Sequence, residues 1–199
     1  MAIKHDLVLI SDEIYERILF DSRKHHSVGE FPEVKDRTVI TNGFSKTYAM
    51  TGLRLGYLIA EKEYVSELTK WFAYVMIGVA MATQLGGVAA LTGPQDCVVE
   101  MVREYDVRRK LLVENLNTMN RISCALPEAT FYVFPDVSKV GMSSESFAEY
   151  LLKEAKVATV PGIHFGSSGE GHLRLSFATS RRNILEGLER IGNSVKGLR

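Results

Sequence analysis

Two apolar runs, Thr38-Val39-Ile40 and Leu55 to Ala60, bracket a segment broken by Gly43, Gly52 and Gly56 that carries Lys46 and Arg54. Short apolar runs bounded by glycine read as strands. The stretch therefore reads as strand, exposed lysine loop, basic turn, strand. Such a chain must form a sheet that presents an amine and a guanidinium at its strand ends. A lysine held there among apolar residues can have its ammonium pKa lowered by desolvation or by a neighbouring cation, and the neutral amine can attack a carbonyl to form a Schiff base. The glycines around Arg54 permit close backbone approach, and a guanidinium fork suits a pair of phosphate oxygens. A lone loop lysine equally fits a solvated surface, so its company has to decide.

Upstream, Leu7-Val8-Leu9-Ile10 is a continuous apolar run of strand length, suited to a sheet covered on both faces. It stops at Ser11-Asp12-Glu13, with Tyr15 three residues after Asp12. An acid at the carboxyl end of a parallel strand lies where open α/β sheets bind ligands. Asp12 also suits a simple cap of the following turn, and Glu13 reads as its solvated neighbour. Asp21 to Asp36 is a polar surface loop with room for one short turn. Its adjacent His25 and His26 lack the acid or cysteine spacing of a metal site and read as exposed.

Downstream, Glu61 to Tyr74 has helical spacing with Val65, Leu68 and Phe72 on one face, and Ala80 to Leu91 is a helix of small residues. The weakly polar stretch Trp71 to Leu91 is broken by Gly78, Gly86 and Gly87, and reads as buried core helices rather than a membrane span. Gln95 to Asn120 is a long amphipathic helix whose basic run, Arg108 to Lys110, reads as a solvated face rather than a nucleic-acid patch. After Pro127 come a strand, Phe131 to Val137, an N-cap signal at Ser143/Ser144, a helix from Phe147 to Ala155, and a short strand, Val157 to Val160. A glycine-rich link follows. Alternation over His172 to Ala178 then puts His172, Arg174 and Ser176 on one face and Leu173, Leu175 and Phe177 on the other. Arg174 could pair with a structural carboxylate. Ser180 caps a last helix through Ile184, Leu185, Leu188 and Ile191. This pattern fits a small α+β domain.

With 24 acidic and 24 basic residues, the chain carries no general pull toward nucleic acid or membrane, so any anion site must be local. Cys97 and Cys124 lie in separate segments without ligand spacing and read as inert thiols. The N-terminal segment, with Lys4, His5 and Asp6 in a short apolar run, reads as neither a signal peptide nor an anchor. A cytoplasmic protein is expected.

The segment Ser45-Lys46 through Gly52, Arg54 and Gly56 resembles the lysine motif of the class I/II aminotransferases, the fold-type I enzymes that use pyridoxal 5'-phosphate (PLP). Ser11-Asp12-Glu13-Ile14-Tyr15, Pro161-Gly162-Ile163-His164-Phe165-Gly166 and His172-Leu173-Arg174-Leu175-Ser176-Phe177-Ala178 resemble further motifs of that family, in the family's order. The resemblance implies an α/β, partial PLP-dependent transferase fold, with residues 1–108 the C-terminal part of the large cofactor-binding domain and 109–199 the small α+β domain. It implies Lys46 as the catalytic Schiff-base lysine, Asp12 against the ring nitrogen, Tyr15 on the ring hydroxyl, Ser45 and Arg54 on the phosphate, and Arg174 on the substrate α-carboxylate. Amino acid and 2-oxo acid substrates and a homodimer or other oligomer follow in the same way.

The resemblance extends over essentially the whole chain but over only the C-terminal half of a family member. The glycine-rich phosphate turn at a helix N-terminus, the aromatic residue stacked on the ring and an asparagine motif are not found, so a truncated aminotransferase is expected. Two departures stand out. Gly43 occupies a position where some members carry a phosphate-binding Ser or Thr, and Ala129-Thr130 precede Phe131-Tyr132 where the family favours Gly-Ala. The alternatives are a non-catalytic fragment or interaction module, expected to dimerise or aggregate, and a related PLP lyase. A cofactor-free lysine aldolase would leave Asp12 and Arg54 without a task.

Overall fold

The computed structural model describes residues 1–198 and divides into two compact units, Met1–Glu100 and Met101–Arg199. The division falls inside a single helix, eight residues before the boundary read from the sequence.

The first unit is built on a three-stranded mixed sheet. Strand β1 (Leu9–Asp12) runs parallel to β2 (Thr38–Gly43), and β2 pairs antiparallel with β3 (Gly56–Ile59). The register sets Asp12 opposite Thr41 and Gly43 opposite Gly56. A methyl group at Gly43 would lie 2.9 Å from the Leu55 carbonyl oxygen and 3.1 Å from the Gly56 Cα, so the residue before the lysine loop must be glycine for the two strands to close. The polar loop between β1 and β2 contains two 3-10 turns, Val28–Glu30 and Pro32–Arg37, rather than one. Ile18, Phe20, Val39 and Phe44 form the buried apolar centre.

Three expectations for this unit fail. Leu7, Val8 and Ile10 are exposed, Ile10 by 76%, so β1 is not covered on both faces. Helix α1 (Lys62–Val75) forms with the predicted spacing yet buries none of its residues, and α2 (Met81–Thr92) buries only Gly87. The Trp71 to Leu91 stretch is therefore two helical pieces joined by a non-helical link, and not core, because three short strands offer too little apolar surface to cover it. Finally, the Asp21–Asp36 loop is not simply solvated, because it docks on Glu13 through His25, Ser27 and Val28.

Helix α3 (Asp96–Leu116) spans the division. It stops four residues short of the predicted Asn120, where the Asn117 side chain turns to the Cys124 backbone, accepting from its N–H at 2.8 Å and donating to its carbonyl at 3.0 Å. The second unit contains the sheet β4–β6–β5, with β4 Tyr132–Val133, β5 Val160–Pro161 and β6 Leu173–Ser176, all pairs antiparallel. The predicted seven-residue strand shortens to two because Pro135 has no N–H for a ladder. Asp136 instead makes isolated bridges to Ser123 and His172.

Helix α4 (Ser144–Tyr150) starts on Ser143, whose hydroxyl accepts from the Ser146 N–H, and continues as a π-helical turn, Leu151–Ala155. Helix α5 (Arg181–Gly197) starts on Ser180 in the same way and buries Ile184, Leu188, Ile191 and Val195, while Leu185 faces solvent. Phe147, Leu151, Val133, Leu173 and Phe177 complete a dense core. Arg109 is 0% exposed, contrary to the solvated reading of its basic run. It donates to Asp106 Oδ1 at 2.5 Å and to the Pro127 carbonyl at 2.6 Å.

Candidate active site

In the first unit the lysine loop leaves the carboxyl end of β2. Residues 45–48 form a tight turn, held by the Tyr48 and Met50 N–H groups donating to the Phe44 carbonyl at 3.3 and 3.2 Å. Phe44 anchors the turn from beneath, with its ring 5.6 Å from Tyr48 and 6.0 Å from Tyr57. Gly87 packs against it so closely that a Cβ there would meet the ring at 3.2 Å. The Tyr48 hydroxyl donates to Gln95 Oε1 at 3.2 Å, and Gln95 Nε2 donates to the Ala90 and Gly93 carbonyls, so the loop is tied to the end of α2.

The structure brings Lys46 and Tyr15 together, with the amine nitrogen 5.8 Å from the centre of the phenol ring. Asp12 ends β1 beside β2, and its Oδ1 accepts from the Ile14 N–H at 3.2 Å. One carboxylate oxygen thus caps the turn that delivers Tyr15. Ser45 begins the loop half-buried. Arg54 is exposed, in a left-handed conformation (φ 53°, ψ 49°) that reverses the chain into β3, and its Nη1 donates to the Thr51 carbonyl at 2.7 Å.

Glu13, read from the sequence as a solvated neighbour, is buried and accepts from Ser11 Oγ, Ser27 Oγ and the Val28 N–H, with His25 Nε2 2.8 Å away. Burial pushes its carboxyl up, but the bonds from His25, Ser27, Val28 and Ser11 together outweigh burial and hold it below the ordinary value. The Glu13 network clamps the segment between β1 and β2 directly behind Asp12. No sequence spacing signals it, because His25 and Ser27 arrive from a loop of irregular length.

In the second unit Arg174 sits at the middle of β6, half-buried. Its guanidinium carbon lies 4.5 Å over the Tyr132 ring and 4.8 Å over the Phe165 ring. No carboxylate pairs with it among the described residues, so the structural ion pair weighed from the sequence is not made. The turn that carries Phe165 is locked by a backbone crossing: Gly162 donates to the His172 carbonyl at 2.8 Å, and a Cβ on Gly162 would fall 2.0 Å from the Gly169 carbonyl oxygen.

Elsewhere, Cys97 is exposed and Cys124 buried, both free, with burial pushing the Cys124 thiol up to about 11. Among the described residues no group of three or more His, Cys, Asp or Glu could hold a metal ion, and no helix is long and apolar enough to cross a membrane.

Comparison with known proteins agrees with the motif order. The family model for aminotransferase class I and II matches residues 1–191. An aspartate aminotransferase from Pyrococcus horikoshii is 41% identical over 199 residues, covering 99% of this chain and 50% of the relative. Aromatic-amino-acid aminotransferase 2 of Thermococcus litoralis is 39% identical, covering 98% and 50%. Among solved structures, an aromatic aminotransferase from Pyrococcus horikoshii superposes with a TM-score of 0.94 at 39% identity, over 98% of this chain and 52% of that one. The chain spans about half the length of the curated relatives it matches. By its mixed α/β architecture, its lysine loop and these matches, the chain belongs to the class I and II aminotransferases and carries part of the fold-type I architecture.

Proposed function

We propose that this chain is the C-terminal half of a PLP-dependent aminotransferase that moves an amino group between an amino acid and a 2-oxo acid. In this reading residues 1–108 belong to the large cofactor domain and 109–199 to the small domain, and the working enzyme is a cytoplasmic homodimer or other oligomer. The observation that carries it is the meeting of the Lys46 amine with Tyr15 beside the end of β1, where Asp12 stands. The donor set fits the cofactor: an amine for its aldehyde, a carboxylate for its ring nitrogen, a phenol for its hydroxyl, and Ser45 and Arg54 for its phosphate.

When bound, PLP supplies an aldehyde carbon that captures amines and a ring that draws electrons from the α-carbon. The chain's own groups then divide the work. Lys46 would offer the nucleophilic amine for that aldehyde, and the same nitrogen would move the substrate α-proton. Asp12 would hold a proton on the ring nitrogen, and its acceptance of the Ile14 N–H keeps the carboxylate at the strand end. Arg174, which has no carboxylate partner among the described residues, is suited to clamp that of the substrate.

Adding PLP to the purified chain should produce a visible absorbance band, and borohydride reduction should leave a mass adduct on the peptide containing Lys46. Lys46→Ala should abolish the adduct, and Arg174→Ala should spare it. A wild-type chain that forms no adduct at saturating PLP overturns the reading. It would favour the non-catalytic fragment, a second reading that the uncovered apolar helices of the first unit support.

A further inference from the structure

We propose that Phe165 and Tyr132 are positioning residues for Arg174. In this reading their rings hold the guanidinium so that its N–H groups face an incoming carboxylate together, before any cofactor or substrate arrives. The proposal rests on the preceding reading of Arg174 and deepens it.

An arginine side chain has several rotatable bonds, and ordering it on binding costs free energy that a carboxylate contact must first repay. The usual way to hold such a group is an acidic partner, but an acid would also neutralise the charge the substrate needs. Here no carboxylate pairs with Arg174 among the described residues, and no acceptor takes its N–H groups. What it has instead are two aromatic faces, Tyr132 at 4.5 Å and Phe165 at 4.8 Å from the guanidinium carbon. A π face attracts the cation without using its in-plane donors. The whole charge and the whole fork therefore stay available for a bidentate partner.

The arrangement is buttressed. Phe165 meets Phe134 edge-on at 6.0 Å and 85°, and Phe134 stacks on His172 at 5.0 Å and 7°. His172 Nδ1 in turn lies 3.2 Å from the Glu170 carbonyl oxygen. Phe165 itself is half-exposed and enters on the turn fixed by the Gly162–Gly169 crossing, so its ring is placed by backbone geometry rather than by core packing.

The test follows the Arg174 Nε–H signal of the full chain by NMR, assigned by its loss in Arg174→Lys, during titration with pyruvate at constant ionic strength. Pyruvate should shift the wild-type signal saturably. Phe165→Leu keeps an apolar side chain of similar size and loses one of the two π faces, Tyr132 remaining; it should shift the free-chain signal by the lost ring-current contribution and weaken pyruvate about threefold to tenfold. Phe165→Tyr restores a π face and should recover both readouts. Wild-type affinity in Phe165→Leu, or no recovery in Phe165→Tyr, overturns the positioning role while leaving Arg174 as the carboxylate ligand. Wild-type pyruvate affinity in Arg174→Lys, read from neighbouring amides, or no response of the Arg174 signal to pyruvate in the wild-type chain, removes the carboxylate role and the positioning role together. The PLP adduct on Lys46 reports separately on the aminotransferase reading.

Discussion

Trp71 and Phe147 are both large aromatic residues on helices with apolar faces, yet Trp71 is 72% exposed and Phe147 is 0% exposed. The contrast runs through the two units. In the second, α4, α5 and the three-stranded sheet bury one another, and most apolar positions with helical or alternating spacing find cover, with Val107, Leu152 and Leu185 among the exceptions. In the first, β3 is exposed along its whole length, α1 buries nothing, and Ile77 stands fully in solvent. Burying an aromatic or large aliphatic side chain stabilises by roughly 1.5–3 kcal/mol. A helix that leaves its apolar face open gains none of this and must rely on propensity alone. Apolar spacing therefore reports which face wants burial and is silent on whether a partner is present.

The comparison breaks most visibly under truncation. Phe147→Ala should cost about 3–5 kcal/mol, whereas Trp71→Ala should stay within about 0.5 kcal/mol, both read from urea midpoints at unchanged slope. Equal losses would mean that α1 is covered in solution by something the chain itself supplies, such as a second copy. Sedimentation over a concentration series would show that copy, since an apolar surface of this extent favours self-association. A monomer at every concentration, with wild-type stability in Trp71→Ala, would leave the face uncovered.

Within the first unit, the Glu13 network should behave as a small polar core. Glu13→Ala strands the Ser27 hydroxyl and the Val28 N–H and should cost about 2 kcal/mol. Hydrogen exchange should then speed up in the segment between β1 and β2 before it changes anywhere in residues 101–198. A uniform change would show that the network does not act locally.

A smaller effect is expected where the second unit is strained. Thr130 holds φ at 68°, unusual for a β-branched residue, and its hydroxyl accepts from the Tyr132 N–H at 3.2 Å. Thr130→Gly relieves the backbone at the loss of that bond and should gain about 0.5 kcal/mol. A loss of stability would mean that the hydroxyl outweighs the strain.

The smallest effect is acid dependence at the surface of the second unit. Arg181 and Arg108 hold the Glu104 carboxyl at about 2, and hydrogen bonds from the Ser144 N–H and hydroxyl hold Glu170 below its ordinary 4.5. Both values are depressed on folding, so their contribution is complete above the unfolded carboxylate range and is lost as pH falls through the folded values. Solvent screening keeps each contribution small. Glu104→Gln should flatten the fall in thermal midpoint between pH 4.5 and about 2. An unchanged slope would remove Glu104 from the account.

Much of this was legible from residues alone. Ser143 and Ser180 announced two helix starts, the glycine-bracketed lysine and arginine announced a strand-end loop, and the alternation in β6 put Arg174 and Leu173 on opposite faces. These are local events, governed by hydrogen bonds and dihedral preferences within a few residues. Arg109 and Glu13 could not be read, because what buries each of them lies elsewhere in the chain: the Pro127 carbonyl comes from beyond the helix carrying Arg109, and His25, Ser27 and Val28 from a loop past β1. The sequence by itself determined which elements form and which motif surrounds Lys46. Only the tertiary structure decided which apolar faces are covered, which charges are buried, and that Arg174 is held by aromatic rings rather than by an acid. Burial and long-range pairing depend on what else arrives at the same place, and spacing along a chain does not carry that information.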